Sequence, residues 1–114
     1  MNDRSPLDWL NDARGYAREA SDIVRGLEEH AFARSRRDQL AVQFCLAIAG
    51  EALNQIPRDI QALAPEIPWV RIRGLRNRLV HSFFLIDHQI VLGIAQHDTE
   101  PLALAIDRLI EKIK

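Results

Sequence analysis

The chain has 114 residues, 47% hydrophobic and 27% charged, a balance that excludes a disordered segment and lets one domain, 1–114, bury a core. Its 15 basic and 16 acidic residues leave a formal net charge of -1, which excludes a global positive field drawing it to nucleic acid or to an anionic membrane. A single cysteine excludes an intrachain disulfide, no apolar run approaches bilayer length, and the expected setting is the cytoplasm with no membrane contact.

Helix signals run from end to end, and sustained alternation or paired Asn-Gly turns are missing, so the chain reads as all-α. Ser5, Pro6 and Asp8 supply an N-cap, a proline for the first helical position and a carboxylate at the third. Leu10, Ala13, Ala17, Ala20, Val24 and Leu27 follow at spacings of three and four, and Gly26 marks the expected end. Ser35 and Asp38 repeat the capping pattern and open a second helix to about Ile56, closed by Pro57. Leu40, Phe44, Ala47 or Ile48, and Ala52 or Ile56 mark its apolar side. Because it is apolar over most of its girth, it should lie centrally. Cys45 within it reads as a small buried residue, not a nucleophile. Glu51 is a carboxylate amid apolar neighbours; it needs a hydrogen-bond partner and reads as structural.

The segment from Pro57 to Pro68 is a connector with a short helical stretch from Arg58 to Leu63. A third long helix is expected from Trp69 to Phe83, another from the N-cap Asp87 to Gln96, and a last one from Thr99 and Pro101 to Lys114. The outcome is an antiparallel helical bundle of four to five main helices with short links.

Thirteen of the basic residues are Arg, and Arg71, Arg73, Arg76 and Arg78 form the dense stretch RIRGLRNR. Arginine forks two hydrogen bonds onto phosphate oxygens, so this cluster suits phosphate recognition, although a solvated helix face has the same composition. Ile72, Leu75, Leu79, Phe83 and Ile86 make an inward stripe. Arg73, Asn77 and His81, each four apart, share another face with Arg76 on its flank. Phosphate-binding cations, an amide and a group that titrates near neutral pH fit RNA cleavage by attack of the 2′-hydroxyl on the adjacent phosphate. The motif holds one proton carrier where the reaction needs two. A two-fold dimer that brings this helix near its copy would supply the second. Gly74 in this helix is assigned to close approach at such a seam. His30, His81, His88 and His97 have no compact ligand spacing, so no metal or other cofactor is expected.

The run WVRIRGLRNRLVHSFFLID, with Trp69 ahead of it, Asp87 after it and AGEALNQIP from Ala49 to Pro57, resembles the HepT-like HEPN ribonucleases, whose motif is Arg, four residues, His, one residue, Tyr. The resemblance implies a homodimeric, HEPN-like helical toxin that cleaves RNA and is paired with an MntA-like nucleotidyltransferase antitoxin. By that likeness His81 is the acid–base residue, Arg76 the phosphate and transition-state ligand, and Asn77 an orienting amide. Arg73, Arg78 and Ser82 are assigned to substrate binding. Phe83 stands where the family has the tyrosine that the antitoxin modifies with AMP, and phenylalanine has no hydroxyl to accept it. A partner is then expected to occlude the groove or to modify another hydroxyl such as Ser82. A non-catalytic module that binds a nucleotidyltransferase or a nucleotide through the same Arg-rich face is the alternative.

Overall fold

The computed structural model describes residues 4–82 and 85–114. Its helices are α1 (Pro6–Val24), α2 (Glu29–Arg34), α3 (Arg36–Asn54), α4 (Arg58–Gln61), α5 (Trp69–His81), α6 (His88–His97) and α7 (Thr99–Ile113), and no strand occurs among the described residues. The chain is an all-α bundle, as expected. No helix among these residues is long and apolar enough to cross a membrane.

Capping sets the helix starts. At α1 the Ser5 hydroxyl accepts from the Asp8 amide at 3.2 Å while the Asp8 carboxylate accepts from the Ser5 amide at 3.0 Å, satisfying two orphan donors reciprocally. Ser35 caps α3 through the Asp38 amide, and Asp87 caps α6 through the Gln89 amide. Gly26, at φ +71, takes the left-handed turn out of α1 that a side chain would strain.

The anticipated stripe of α1 is the buried one, from Leu10 through Val24. The stripe assigned to α3 is corrected in its first half, while Ala52 and Ile56 are buried as assigned. Leu40 and Phe44 are 49% and 57% exposed, whereas Val42, Cys45, Leu46, Ala49, Ala52 and Leu53 are buried. An all-round apolar helix carries little directional signal; its small residues Ala49, Gly50 and Ala52 select the face that neighbours can approach closely. The extent of the helices also differs in places from the sequence reading. The short α2 was not anticipated; the buried Gln39 side chain stabilises its end by donating to the Phe32 and Ala33 carbonyls at 2.9 and 3.0 Å. Helix α5 stops at His81 with Ser82 as its C-cap, and Phe83 lies outside the described residues. Helix α7 starts at Thr99, as expected, and the buried Thr99 hydroxyl donates to the Ala95 carbonyl at 2.7 Å.

Helix α3 is central, packed against α1, α2, α5 and α6, and α1 also packs on α7. Two apolar clusters run through the bundle. One joins Leu10, Leu53, Ile67, Ile106 and Leu109; the other joins Val24, Phe32, Val42, Leu46, Leu79 and Val91. The connector is anchored: Ala64 and Ile67 are buried, and the Trp69 indole donates to the Ala64 carbonyl at 3.0 Å. Across α1 and α7, Asp107 accepts from Arg14 and from Arg18, each at 2.7 Å. Between α5 on one side and α6 and α7 on the other the bundle stays open, as a groove of about 840 Å³ floored by Leu46, Leu53 and Ile67.

Candidate active site

Helices α3 and α5 meet at Gly50. A Cβ built there would lie 2.8 Å from Arg76 Cβ and 3.3 Å from Arg76 Cγ, closer than packed carbons come, so only glycine lets the two helices approach this far. Gly74, assigned to close approach on the same helix, has no atom of another element within 4 Å of such a Cβ in the single chain. The tight crossing brings the C-terminal half of α3 against the basic helix. Glu51, Asn54 and Gln55, spaced three and four apart, share the side of α3 from which they meet α5 or one another.

Arg73 and Arg76 are half-buried while Arg71 and Arg78 are exposed, and the Arg76 side chain is 25% exposed. Its Nη2 stands 2.8 Å from Glu51 Oε1, while its Nη1 donates to Asn77 Oδ1 at 2.9 Å. The contact with Glu51 is a charge pairing without hydrogen-bond alignment, so Glu51 Oε1 and Arg76 Nε are both buried with no hydrogen-bond partner. Glu51 is itself steadied, its Oε2 accepting from the Gln55 amide at 2.9 Å. One helical turn away, Arg73 Nε donates to Asn54 Oδ1 at 3.3 Å. Arg73 and Arg76 are therefore braced from α3 by Asn54 and Glu51, and Asn77, exposed on the next position, accepts from Arg76.

The remaining assigned residues lie elsewhere on α5. His81, the last helical residue, is exposed. Residues five apart on an α-helix are turned by about 140°, so Arg76 can lean on α3 while His81 points well away from that seam. Arg78 stands on the opposite flank from Arg73 and lines the open groove together with Arg71 and Arg108. Ser82 is half-buried at the helix end, its amide donating to the Arg78 carbonyl at 2.8 Å. Glu51, read as structural from the sequence, is the charge partner of the motif arginine. Its placement in an apolar run and its need for a partner were the available signals; Gly50, beside it, gave none. Among the described residues no group of three or more His, Cys, Asp or Glu is arranged to hold a metal ion. Cys45 is buried, and burial, reinforced by the charge of Glu19, pushes its thiol up to about 11, which keeps it protonated and unreactive at neutral pH.

Chemically, α5 offers a guanidinium held by two neighbours with donors to spare, an amide beside it and, turned away from them at the helix end, an exposed imidazole. The first can meet phosphate oxygens and the last can exchange a proton. Comparison with known proteins adds the family. The family described as "Ribonuclease HepT-like" matches residues 13–109. The "Probable ribonuclease HepT" of Thermococcus cleftensis is 30% identical over 106 residues, covering 93% of this chain and 96% of that protein. "Putative RNase MJ1216" of Methanocaldococcus jannaschii is 27% identical over 106 residues, covering 93% and 88%. "Putative RNase TTE0752" of Caldanaerobacter subterraneus is 24% identical over 91 residues, covering 80% and 81%. No solved structure matches the chain. With the family match spanning nearly all of the bundle, including both helices of the Gly50 crossing, the chain belongs to the HepT-like ribonuclease family.

Proposed function

We propose that this protein is the toxin-type ribonuclease of a HEPN and minimal-nucleotidyltransferase pair, acting in the cytoplasm on RNA in a groove shared by two copies of the chain. The observation that carries this reading is Arg76, the motif arginine of a HepT-like family member, held between Glu51 and Asn77 with donors left for a phosphate. The reaction is transesterification without a metal. The 2′-oxygen attacks phosphorus, the bond to the 5′-oxygen breaks, and the products are a 2′,3′-cyclic phosphate and a 5′-hydroxyl. His81 exchanges protons with the attacking and leaving oxygens, a role typically worth ~10²- to 10⁴-fold. Arg76 meets the charge that develops on the phosphorane, Asn77 orients Arg76 and the substrate, and Arg73, Arg78 and Ser82 hold the flanking RNA.

The angle between Arg76 and His81 on α5 favours a shared groove. One chain offers its arginine along α3 and its imidazole outward, so a second copy related by a two-fold axis can set its His81 opposite the first chain's Arg76 and supply the second proton carrier. Phe83 removes the hydroxyl on which a tyrosine at that position would accept AMP, so an MntA-like partner controls this protein by covering the groove or by modifying Ser82. The test is RNA cleavage by purified, partner-free protein in the presence of a chelator. Wild type cleaves to cyclic-phosphate ends, and His81→Ala and Arg76→Ala lose cleavage while keeping their helical content. Wild-type protein that cleaves no RNA overturns the reading and leaves the non-catalytic alternative, which the missing hydroxyl of Phe83 favours. That alternative predicts tight partner binding that survives His81→Ala and weakens when Arg73 and Arg76 are both replaced.

A further inference from the structure

The Glu51 carboxylate is an odd neighbour for a residue meant to bind phosphate. It brings a negative charge to 2.8 Å from the Arg76 guanidinium, at a helix crossing that only glycine permits. Substrate attraction alone would favour leaving that arginine free. Glu51 is 37% exposed and Arg76 is 25% exposed, so the pair is partly shielded and its charges are only partly screened by water. Gln55 holds the other carboxylate oxygen at 2.9 Å, so Glu51 is oriented from behind before it meets Arg76.

From these contacts we infer that Glu51 is a positioning residue for Arg76, and that it weakens ground-state binding of the RNA phosphate in exchange for a guanidinium held ready for the transition state. The inference rests on the ribonuclease reading above. A flexible arginine follows the phosphate wherever it lies, binding substrate and transition state about equally, which lowers KM without raising kcat. An arginine braced by Glu51 and Asn77 cannot follow. It meets the equatorial oxygens only where the reacting phosphorane brings them, and a preorganised donor there costs no rearrangement during the reaction. The carboxylate also offsets part of the arginine's charge, reducing the cation release that drives non-specific RNA binding.

Two substitutions separate charge from geometry. Glu51→Gln removes the charge but keeps a side chain of the same shape beside Arg76; Glu51→Ala removes both. In cleavage assays on a short single-stranded RNA, Glu51→Gln lowers KM several-fold and leaves kcat within about threefold of wild type, whereas Glu51→Ala lowers KM similarly and costs kcat about 10- to 100-fold. Binding of a non-cleavable 2′-deoxy analogue of that RNA, read as a function of salt, becomes steeper by about 0.7 in log–log slope for both variants, and in an Arg76→Ala background Glu51→Gln changes neither the slope nor the affinity for that analogue. A structural brace alone would lower thermal stability without moving the salt slope. The inference is overturned if the slope is unchanged, if the Glu51→Gln effect persists without Arg76, or if Glu51→Gln loses as much turnover as Glu51→Ala, which would make the carboxylate a proton carrier. Should Glu51→Ala not fold, the Glu51→Gln slope and its cycle with Arg76→Ala decide alone. The salt slope is read on uncleaved RNA, so silence of the wild-type enzyme in cleavage refutes the ribonuclease reading separately from the pairing of Glu51 with Arg76.

Discussion

The two flanks of α5 are built in opposite ways. Toward α3 the helix is locked, with backbones close enough to require Gly50 and with Arg73 and Arg76 cross-braced by Asn54 and Glu51. Toward α6 and α7 it is open, leaving a groove with an apolar floor and with Arg71, Arg78 and Arg108 among its lining residues. The motif arginine lies on the locked side. The role proposed for Arg76 needs a fixed orientation, and the closed seam supplies it.

Core deletion gives the largest contrast between the flanks. Leu53 is fully enclosed at the base of the groove and belongs to the cluster joining α1, α3 and α7, so Leu53→Ala should cost about 2 to 5 kcal/mol in urea unfolding. Leu75, half-buried on the groove wall, should cost only about 1 kcal/mol on the same change, roughly half the transfer term of a fully buried leucine. Equal costs for the two would mean that the groove is closed in solution. Next comes the locked seam: Gly50→Ala forces a contact with Arg76 Cβ at 2.8 Å and should destabilise by about 1 to 3 kcal/mol while also lowering turnover, because Arg76 must move. Gly74→Ala, with no neighbouring element within 4 Å in the chain, should instead stabilise the isolated protein by about 0.5 to 1 kcal/mol. If Gly74 sits at a dimer seam, the same change weakens self-association, which sedimentation separates from folding stability.

The smallest effect lies away from both flanks. Asp107 joins α1 to α7, and its hydrogen bond from Arg14, with that from Arg18, holds its carboxyl below the usual carboxylate range. A carboxyl whose pKa is lowered by folding stabilises the fold above its unfolded pKa of about 3.9, and that contribution is lost as pH falls through the lower folded value. Because about a third of the side chain is exposed, Asp107→Asn should cost no more than about 1 kcal/mol at neutral pH, and the difference from wild type should shrink below about pH 4. A difference that stays constant to lower pH would show that the pairing contributes nothing through charge.

Much of the architecture was legible because local signals carried it. Ser5, Ser35 and Asp87 cap the helices they were assigned to, and the α1 stripe is the buried one. Legibility failed where the signal had no direction. Helix α3 is apolar on nearly every side, so Leu40 and Phe44 looked like core and are exposed. Helix α2 has no side-chain N-cap and is held by the distant Gln39, so nothing within its own six residues announced it. At the candidate site, Arg76, Asn77 and His81 stood out by spacing and resemblance. The bracing of Arg76 did not, since it depends on the tertiary crossing of two helices, and a glycine such as Gly50 shows its use only when a neighbour arrives.

Whether one phosphate is served by two chains is the central claim, and complementation measures it most directly. Arg76→Ala and His81→Ala, each inactive alone, are co-expressed with different tags and purified as the mixed dimer. The account predicts that RNA cleavage returns in part, because that dimer sets an intact Arg76 from one chain against an intact His81 from the other while holding only one of the two proton carriers. A mixed dimer as inactive as either parent, or a single variant that keeps wild-type cleavage, would contradict it.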